Sequence, residues 1–195
     1  MAKQRIDKIF AENLGIALGG CVRDQSVTLL NKDVPKLVGA PFCPIPLIGG
    51  AAKREFRLVW AGALQGMALW AVRDRLEEFN DEKLCRKVVF NMQDYADEAL
   101  GKPLLRKVDA DVIERYNRVR NDFMRLGRDR KTTKETFGRA LFREFNARGE
   151  LEGDKAMKLA IQIGLALNLF DKIVDVMVKS PGSYTRSTVK QKDAA

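Results

Sequence analysis

The side chains that could bind a charged ligand are concentrated between positions 115 and 148. This stretch carries eleven basic and four acidic residues, a net charge of +7 in a chain whose formal charge is +9. Arginine predominates, and its planar guanidinium matches phosphate oxygens better than a lysine ammonium does. The pattern therefore favours a polyanionic partner: RNA, DNA or an anionic membrane surface. The basic residues are Arg115, Arg118, Arg120, Arg125, Arg128, Arg130, Lys131, Lys134, Arg139, Arg143 and Arg148.

One segment of this stretch, Arg128-Asp129-Arg130-Lys131, lies between two predicted helices. Its side chains and the free N–H groups of the next helix can converge on phosphates. A solvated basic helix face is the alternative interpretation. No helix-turn-helix, RRM or zinc-finger pattern accompanies the segment, so the sequence gives no support for base-specific recognition.

The residue types give little support for a catalytic site. The chain has no histidine, which removes histidine-based triads, histidine metal sites and the commonest general base. Neither a phosphate-binding glycine loop nor a nucleophile elbow is present. Cys21, Cys43 and Cys85 are too far apart for a zinc cluster and are predicted to be buried, reduced thiols. We expect a cytosolic protein that is not an enzyme, needs no cofactor and does not enter a membrane.

The first fifty residues differ in pattern from the rest. A short helix is predicted over Ile6–Leu18 and is expected to end at Gly19-Gly20. The stretch SVTLL is a weak strand candidate, and VGAPFCPIPLIGG should be extended or looped because it is rich in proline and glycine. We interpret residues 1–50 as an N-terminal arm outside the main bundle.

From Ala51 onward the apolar residues follow a helical period. We expect four or five helices over residues 51–179, packed together as an all-α bundle. Thr132 and Glu135 have capping-box spacing before one of them. The last helix, from Asp154 to Val178, is apolar on nearly every side between Leu159 and Phe170, so its middle should be buried. Both tryptophans are expected in the core.

Five blocks in one order resemble the coat proteins of rod-shaped plant RNA viruses, the tobamovirus type. The resemblance implies a four-helix bundle that stacks into a helical rod and holds genomic single-stranded RNA between turns, in the virion and the host cytoplasm. Residues 180–195 would be a short tail in which Tyr184 and Arg186 pack back on the bundle. The blocks are FRLVWAGALQGMALWAVRDRLEEF, CRKVVFNMQDY, DADVIERYN, LGRDRK and GSYTRS.

The expected function is thus a structural capsid protein that polymerises and packages RNA through sequence-independent phosphate contacts. The resemblance also implies that Asp94 and Asp122 face each other between subunits, where a proton, a calcium ion or a basic neighbour would relieve their repulsion. Ordinary surface aspartates paired with arginines are the alternative. The predicted RNA contacts are Arg86, Arg128, Arg130, Lys131, Arg148 and Asp154.

Two other functions stay open at this point. One is a helical nucleic-acid-binding accessory protein of a phage, plasmid or bacterium. The other is a helical interaction module whose basic face meets an acidic protein.

Overall fold

The computed structural model describes residues 8–27, 33–40, 50–77, 82–101, 104–105, 108–146 and 149–179. Within these ranges the chain forms seven helices and no strand, which confirms the predicted all-α class. The helices are α1 (Lys8–Val27), α2 (Val34–Leu37), α3 (Gly50–Glu77), α4 (Glu82–Gly101), α5 (Ala110–Arg128), α6 (Lys134–Phe145) and α7 (Gly153–Lys179). The expected tail, including Tyr184 and Arg186, lies outside the described residues, as does most of the proline-rich segment.

Helix α1 is the main departure from the expected arm. It continues through Gly19-Gly20 to Val27 instead of ending at the glycine pair. Its apolar residues recur every fourth position, and Leu14, Leu18 and Val22 are completely buried. They belong to the same hydrophobic core as α3, α4 and α7. Residues 8–27 are therefore part of the bundle.

Glycines explain why α1 can lie so close to α4. A Cβ added at Gly15 would stand 2.5 Å from the Cβ of Asn91, and one at Gly19 would stand 2.8 Å from the carbonyl oxygen of Met92. The residues contacted on α4 advance together with those on α1, so the two helices run parallel. The glycine pair that resembled a helix end is thus part of a contact surface, because glycine lets two backbones approach closely.

The pairing of α3 with α5 follows the same rule. A Cβ at Gly62 would stand 3.1 Å from the backbone of Tyr116 and Arg120, and Gly66 lies directly against the backbone of Phe123. The contacts again advance in the same direction, so α3 and α5 are also parallel. Two closely packed parallel pairs therefore form the centre of the fold.

A buried polar network ties α3, α4 and α5 together. Gln65 donates to the Tyr116 hydroxyl (2.8 Å), and that hydroxyl donates to Asp97 (2.5 Å). The other carboxylate oxygen of Asp97 accepts from Arg120 (2.6 Å). Gln65 and Tyr116 are almost wholly buried. Because an unpaired polar group is destabilising there, the network fixes how these helices meet.

Helices α6 and α7 close the core from one side. Gly138 of α6 faces Leu159 and Ile163 of α7. Trp60 is 1% exposed, which confirms its prediction as a core residue, whereas Trp70 is half-buried. The middle of α7 is buried on one face only: Ile163 and Leu167 are in the core, whereas Ile161 and Leu165 are about half exposed.

Two further expectations concern thiols and membranes. Cys21 and Cys85 are half-buried thiols outside any disulfide, and burial raises the pKa of Cys21 to about 11, so its thiol stays protonated at neutral pH. Cys43 lies outside the described residues. Among the helices over the described ranges, none combines the length and apolar character that crossing a bilayer requires.

Candidate nucleic-acid interface

The loop between α5 and α6 is a tight turn that presents three cations. The Asp129 N–H bonds the carbonyl of Leu126 (3.0 Å), and the Asp129 carboxylate accepts from the Lys131 N–H (2.9 Å). An aspartate that bonds the backbone two residues on stabilises such turns. Arg128, Arg130 and Lys131 are exposed around it. We call these three residues the loop cations.

Side chains from α3 fasten the loop to the bundle. The indole N–H of Trp70 donates to the carbonyl of Thr132 (3.1 Å), and Arg73 donates to the carbonyl of Gly127 (3.1 Å). The Trp70 ring also meets Phe137 edge-on, with centroids 6.2 Å apart. The loop is thus held to α3 at both of its ends, so the loop cations project from a fixed backbone.

The capping box at the start of α6 lies one residue later than predicted. Thr133 accepts from the Thr136 N–H (3.3 Å), and the Thr136 hydroxyl accepts from the Thr133 N–H (3.2 Å). Thr132 does not take this part, because it is buried and its N–H is already bonded to the carbonyl of Asp129 (3.1 Å). The cap starts α6 directly after the loop, with the helix N-terminus beside the cations.

Helix α6 continues the basic surface. Lys134, Arg139 and Arg143 are exposed, because the apolar residues of α6 face inward. Within the described part of the chain, none of these three forms an ion pair, nor do Arg128 and Lys131. We call Lys134, Arg139 and Arg143 the α6 cations, and the two groups together the basic surface.

Two carboxylates lie within this surface, Asp129 in the loop and Glu135 on α6. Glu135 is exposed in the first turn of α6, and a hydrogen bond with Thr133 lowers its pKa, helped by its own backbone N–H and by Lys134 and Arg139. Glu135 therefore remains an anion at neutral pH. It subtracts one charge from the middle of the basic surface.

The arginines of α5 have a different environment. Four of them pair with carboxylates, and two of these pairs join α5 to the C-terminal end of α6 through Glu144. Arg115 also donates to the Glu144 carbonyl (2.5 Å) and lies over the Phe145 ring. Arg115 and Arg120 are thereby held against the bundle, whereas Arg118 and Arg125 stay more than half exposed with their charge partly offset by a carboxylate. The pairs are Arg115 with Glu55 and Glu144, Arg118 with Glu144, Arg120 with Asp97, and Arg125 with Asp122.

Not every predicted contact residue reaches this surface. Asp154 is exposed in the first turn of α7, and its neighbour Lys155 lies over the Phe142 ring near the far end of α6 from the loop. Arg86 is exposed on α4. Helix α4 begins soon after the end of α3, the helix whose side chains hold the loop. Arg148 lies outside the described residues.

A pocket of about 280 Å³ lies at the far end of α6. Both Arg139 and Arg143 line it, so the basic surface extends into this pocket. Two carboxylates line it too, which makes it mixed in charge. The remaining lining residues are Phe142, Gly149, Glu150, Leu151 and Glu152.

The α6 cations were part of the basic stretch but were not selected as contact residues from the sequence. The signal that could have selected them is the inward spacing of Phe137, Leu141 and Phe142, which places Arg139 and Arg143 on the outer face.

The two aspartates expected between subunits lie on different helices. Asp94 is exposed on α4, and Asp122 bonds Arg125 one turn further along α5 (2.9 Å). Over the described ranges, no group of three or more metal-binding side chains was found. Calcium at this position stays a prediction that concerns contacts between chains.

Comparisons of the chain with protein-family models, with curated proteins and with solved structures found no match.

Proposed function

We propose that this protein is a structural coat subunit that polymerises on single-stranded RNA and binds it through sequence-independent phosphate contacts. The observation that carries the proposal is the basic surface, where five cations that form no ion pair with the described residues follow one another from the loop along α6. Unpaired exposed cations are available to phosphates, and each contact releases a counterion from the nucleic acid.

The form of the surface favours phosphates over bases. Arginine and lysine side chains are groups that contact phosphate oxygens, and such contacts carry no sequence information. A protein that covers an entire genome must accept every sequence. The resemblance to rod-shaped virus coat proteins supports the same function from the order of the sequence blocks.

Titration of labelled single-stranded RNA tests the proposal. Arg128→Gln with Lys131→Gln should weaken binding and lower the slope of log affinity against log salt by about 1.4, because each lost contact on a single strand removes about 0.7. The matched control is Lys36→Gln with Lys53→Gln, which removes two exposed lysines on α2 and in the first turn of α3. An equal loss in both double variants would overturn the assignment of the basic surface.

Two unrelated RNA sequences of equal length should bind equally well. Electron microscopy of the protein with RNA should then show rods or stacked discs. A protein that prefers one short duplex DNA site would instead be a nucleic-acid-binding accessory protein. A protein that binds neither, but captures an acidic protein, would be an interaction module.

A further inference from the structure

Exposed large apolar side chains are concentrated on one helix. Among the described residues there are six, and five of them lie on α7. Met157, Ile161, Leu165 and Leu169 follow one another at intervals of four, and their exposed fractions run from 58% to 36%. Such spacing places them in one stripe about 18 Å long, since a helix rises about 1.5 Å per residue. Contiguous exposed apolar surface marks a contact with another molecule.

Lysines stand at both ends of this apolar stripe. Lys158 lies one residue after Met157, and Lys172 lies three residues after Leu169; both are exposed. An occupant of the stripe should therefore combine an apolar side chain with carboxylates beside it.

The sixth exposed apolar residue supplies that combination. Phe90 on α4 is 69% exposed. Asp94 and Glu98 follow it at intervals of four on the same exposed face, about 6 and 12 Å further along the helix. Arg86 and Lys87 are also exposed, on the N-terminal side of Phe90. The acidic α4 face (Phe90, Asp94, Glu98) thus complements the apolar stripe in apolar character and, at one of its two lysine-bearing ends, in charge.

We propose that the acidic α4 face of one copy docks on the α7 stripe of the next. Both helices pack against α1 and α3, which lie between them, so the two faces point to different sides of the molecule. A contact between two different surfaces of identical subunits is heterologous and propagates into a ring or an open helix. The inference rests on the proposed function, because it names the contact by which the coat subunits polymerise.

Two variants, each with one of the two faces blocked, test the contact in the absence of RNA. Phe90→Lys puts a cation against the lysines of the stripe, and Leu165→Glu puts an anion against the acidic face. By sedimentation velocity, the parent should form oligomers that grow with concentration, and each variant alone should be monomeric. A mixture of the two variants should give 1:1 dimers and nothing larger, since one intact face of each kind remains.

Several outcomes would overturn the inference. A parent that stays monomeric at every concentration would do so, as would a mixture that stays monomeric. Oligomers of Phe90→Lys equal to those of the parent would show that α7 pairs with itself. Val176→Glu is the matched control, because it adds the same charge to an exposed apolar site on α7 beyond Lys172, and it should leave assembly unchanged.

Circular dichroism must show parental helix content in each variant. RNA titration of the parent separates the two proposals. RNA binding by the parent together with the expected dimer pattern supports both, whereas no RNA binding by the parent together with that pattern would contradict only the proposed function.

Discussion

Three glycines of α1 allow a graded test of how this helix packs. At Gly15 an added methyl group would meet the Cβ of Asn91 at 2.5 Å, the Val88 oxygen at 2.8 Å and the Met92 nitrogen at 2.9 Å. At Gly20 the nearest atom, on the Tyr95 ring, is 3.8 Å away, which is an ordinary contact. Backbone atoms cannot move aside alone, so alanine at Gly15 must push α1 away from α4.

Overpacking of this kind costs about 1–3 kcal/mol, and replacing a helical glycine by alanine returns about 0.5–1 kcal/mol. Because three atoms, two of them backbone, lie within 3.0 Å of the added methyl group, the cost should be near the top of that range. We therefore expect Gly15→Ala to destabilise the fold by about 2 kcal/mol net, which lowers Tm by about 4–8 °C in a chain of this size. Gly19→Ala, with one contact at 2.8 Å, should cost less. Gly20→Ala should be stabilising by about 0.5–1 kcal/mol.

Urea unfolding followed by circular dichroism measures all three variants under one condition, and the order Gly15, Gly19, Gly20 is the essential result. If Gly15→Ala and Gly20→Ala change the free energy of unfolding alike, α1 does not lie against α4 as described. A lower free energy of unfolding for Gly20→Ala would indicate that Gly19-Gly20 is a helix end.

Two further predictions follow from individual groups. Glu135→Gln should raise the affinity for single-stranded RNA severalfold in low salt, because it removes an anion from the basic surface; unchanged affinity would place the RNA elsewhere. Burial, with Asp97 adding to it, raises the pKa of Tyr116 above its usual 10. The buried phenol of Tyr116 therefore stabilises the fold fully below pH 10. This stabilisation is lost as the pH rises further, because only the unfolded chain then releases the proton. Tyr116→Phe should therefore flatten the fall in unfolding free energy above pH 10, whereas an equal slope in both proteins would contradict the buried phenol.

The helices were predictable from sequence where their signals are local. The apolar period and the helix-breaking residues predict helices over about 81–99 and from near Asp109 to Gly127, and α4 and α5 begin and end within two residues of these positions. The contacts of Gly15 and Gly19 with α4 could not be predicted from the residues next to them in sequence. Their partners on α4 are more than seventy positions away, so Gly15 gives no local signal of a contact and Gly19-Gly20 is interpreted as a helix end.

The basic stretch shows the same limit for the candidate site. A charge count treats eleven cations as equivalent, yet four on α5 pair with carboxylates, some of them from α3 and α4. The turn at Asp129 could be inferred from its own residues. Its attachment to Trp70 and Arg73 could not, because α3 is far away in sequence. Tertiary pairing thus reduces the available charge to the loop and α6.

Asp94→Asn separates two accounts of how subunits meet. If Asp94 faces Asp122 of another subunit, removing one charge relieves repulsion, and assemblies should persist better at pH 8. If Asp94 instead lies beside Lys158 or Lys172 in the contact between α4 and α7, the same change removes an attraction and weakens assembly at pH 8. We expect weakening, because Asp122 is already bonded to Arg125 (2.9 Å) and has less charge to oppose.

Asp122→Asn is the matched control for this test. It should leave assembly unchanged if the lysine contact is correct and strengthen it if the aspartates face each other. Light scattering of RNA-free protein over a dilution series measures both variants. Lys158→Glu and Lys172→Glu can then be combined in turn with Asp94→Lys, since the true partner restores assembly by exchanging the two charges. Rescue by neither lysine, or stronger assembly of Asp94→Asn, would refute the proposed charge pairing.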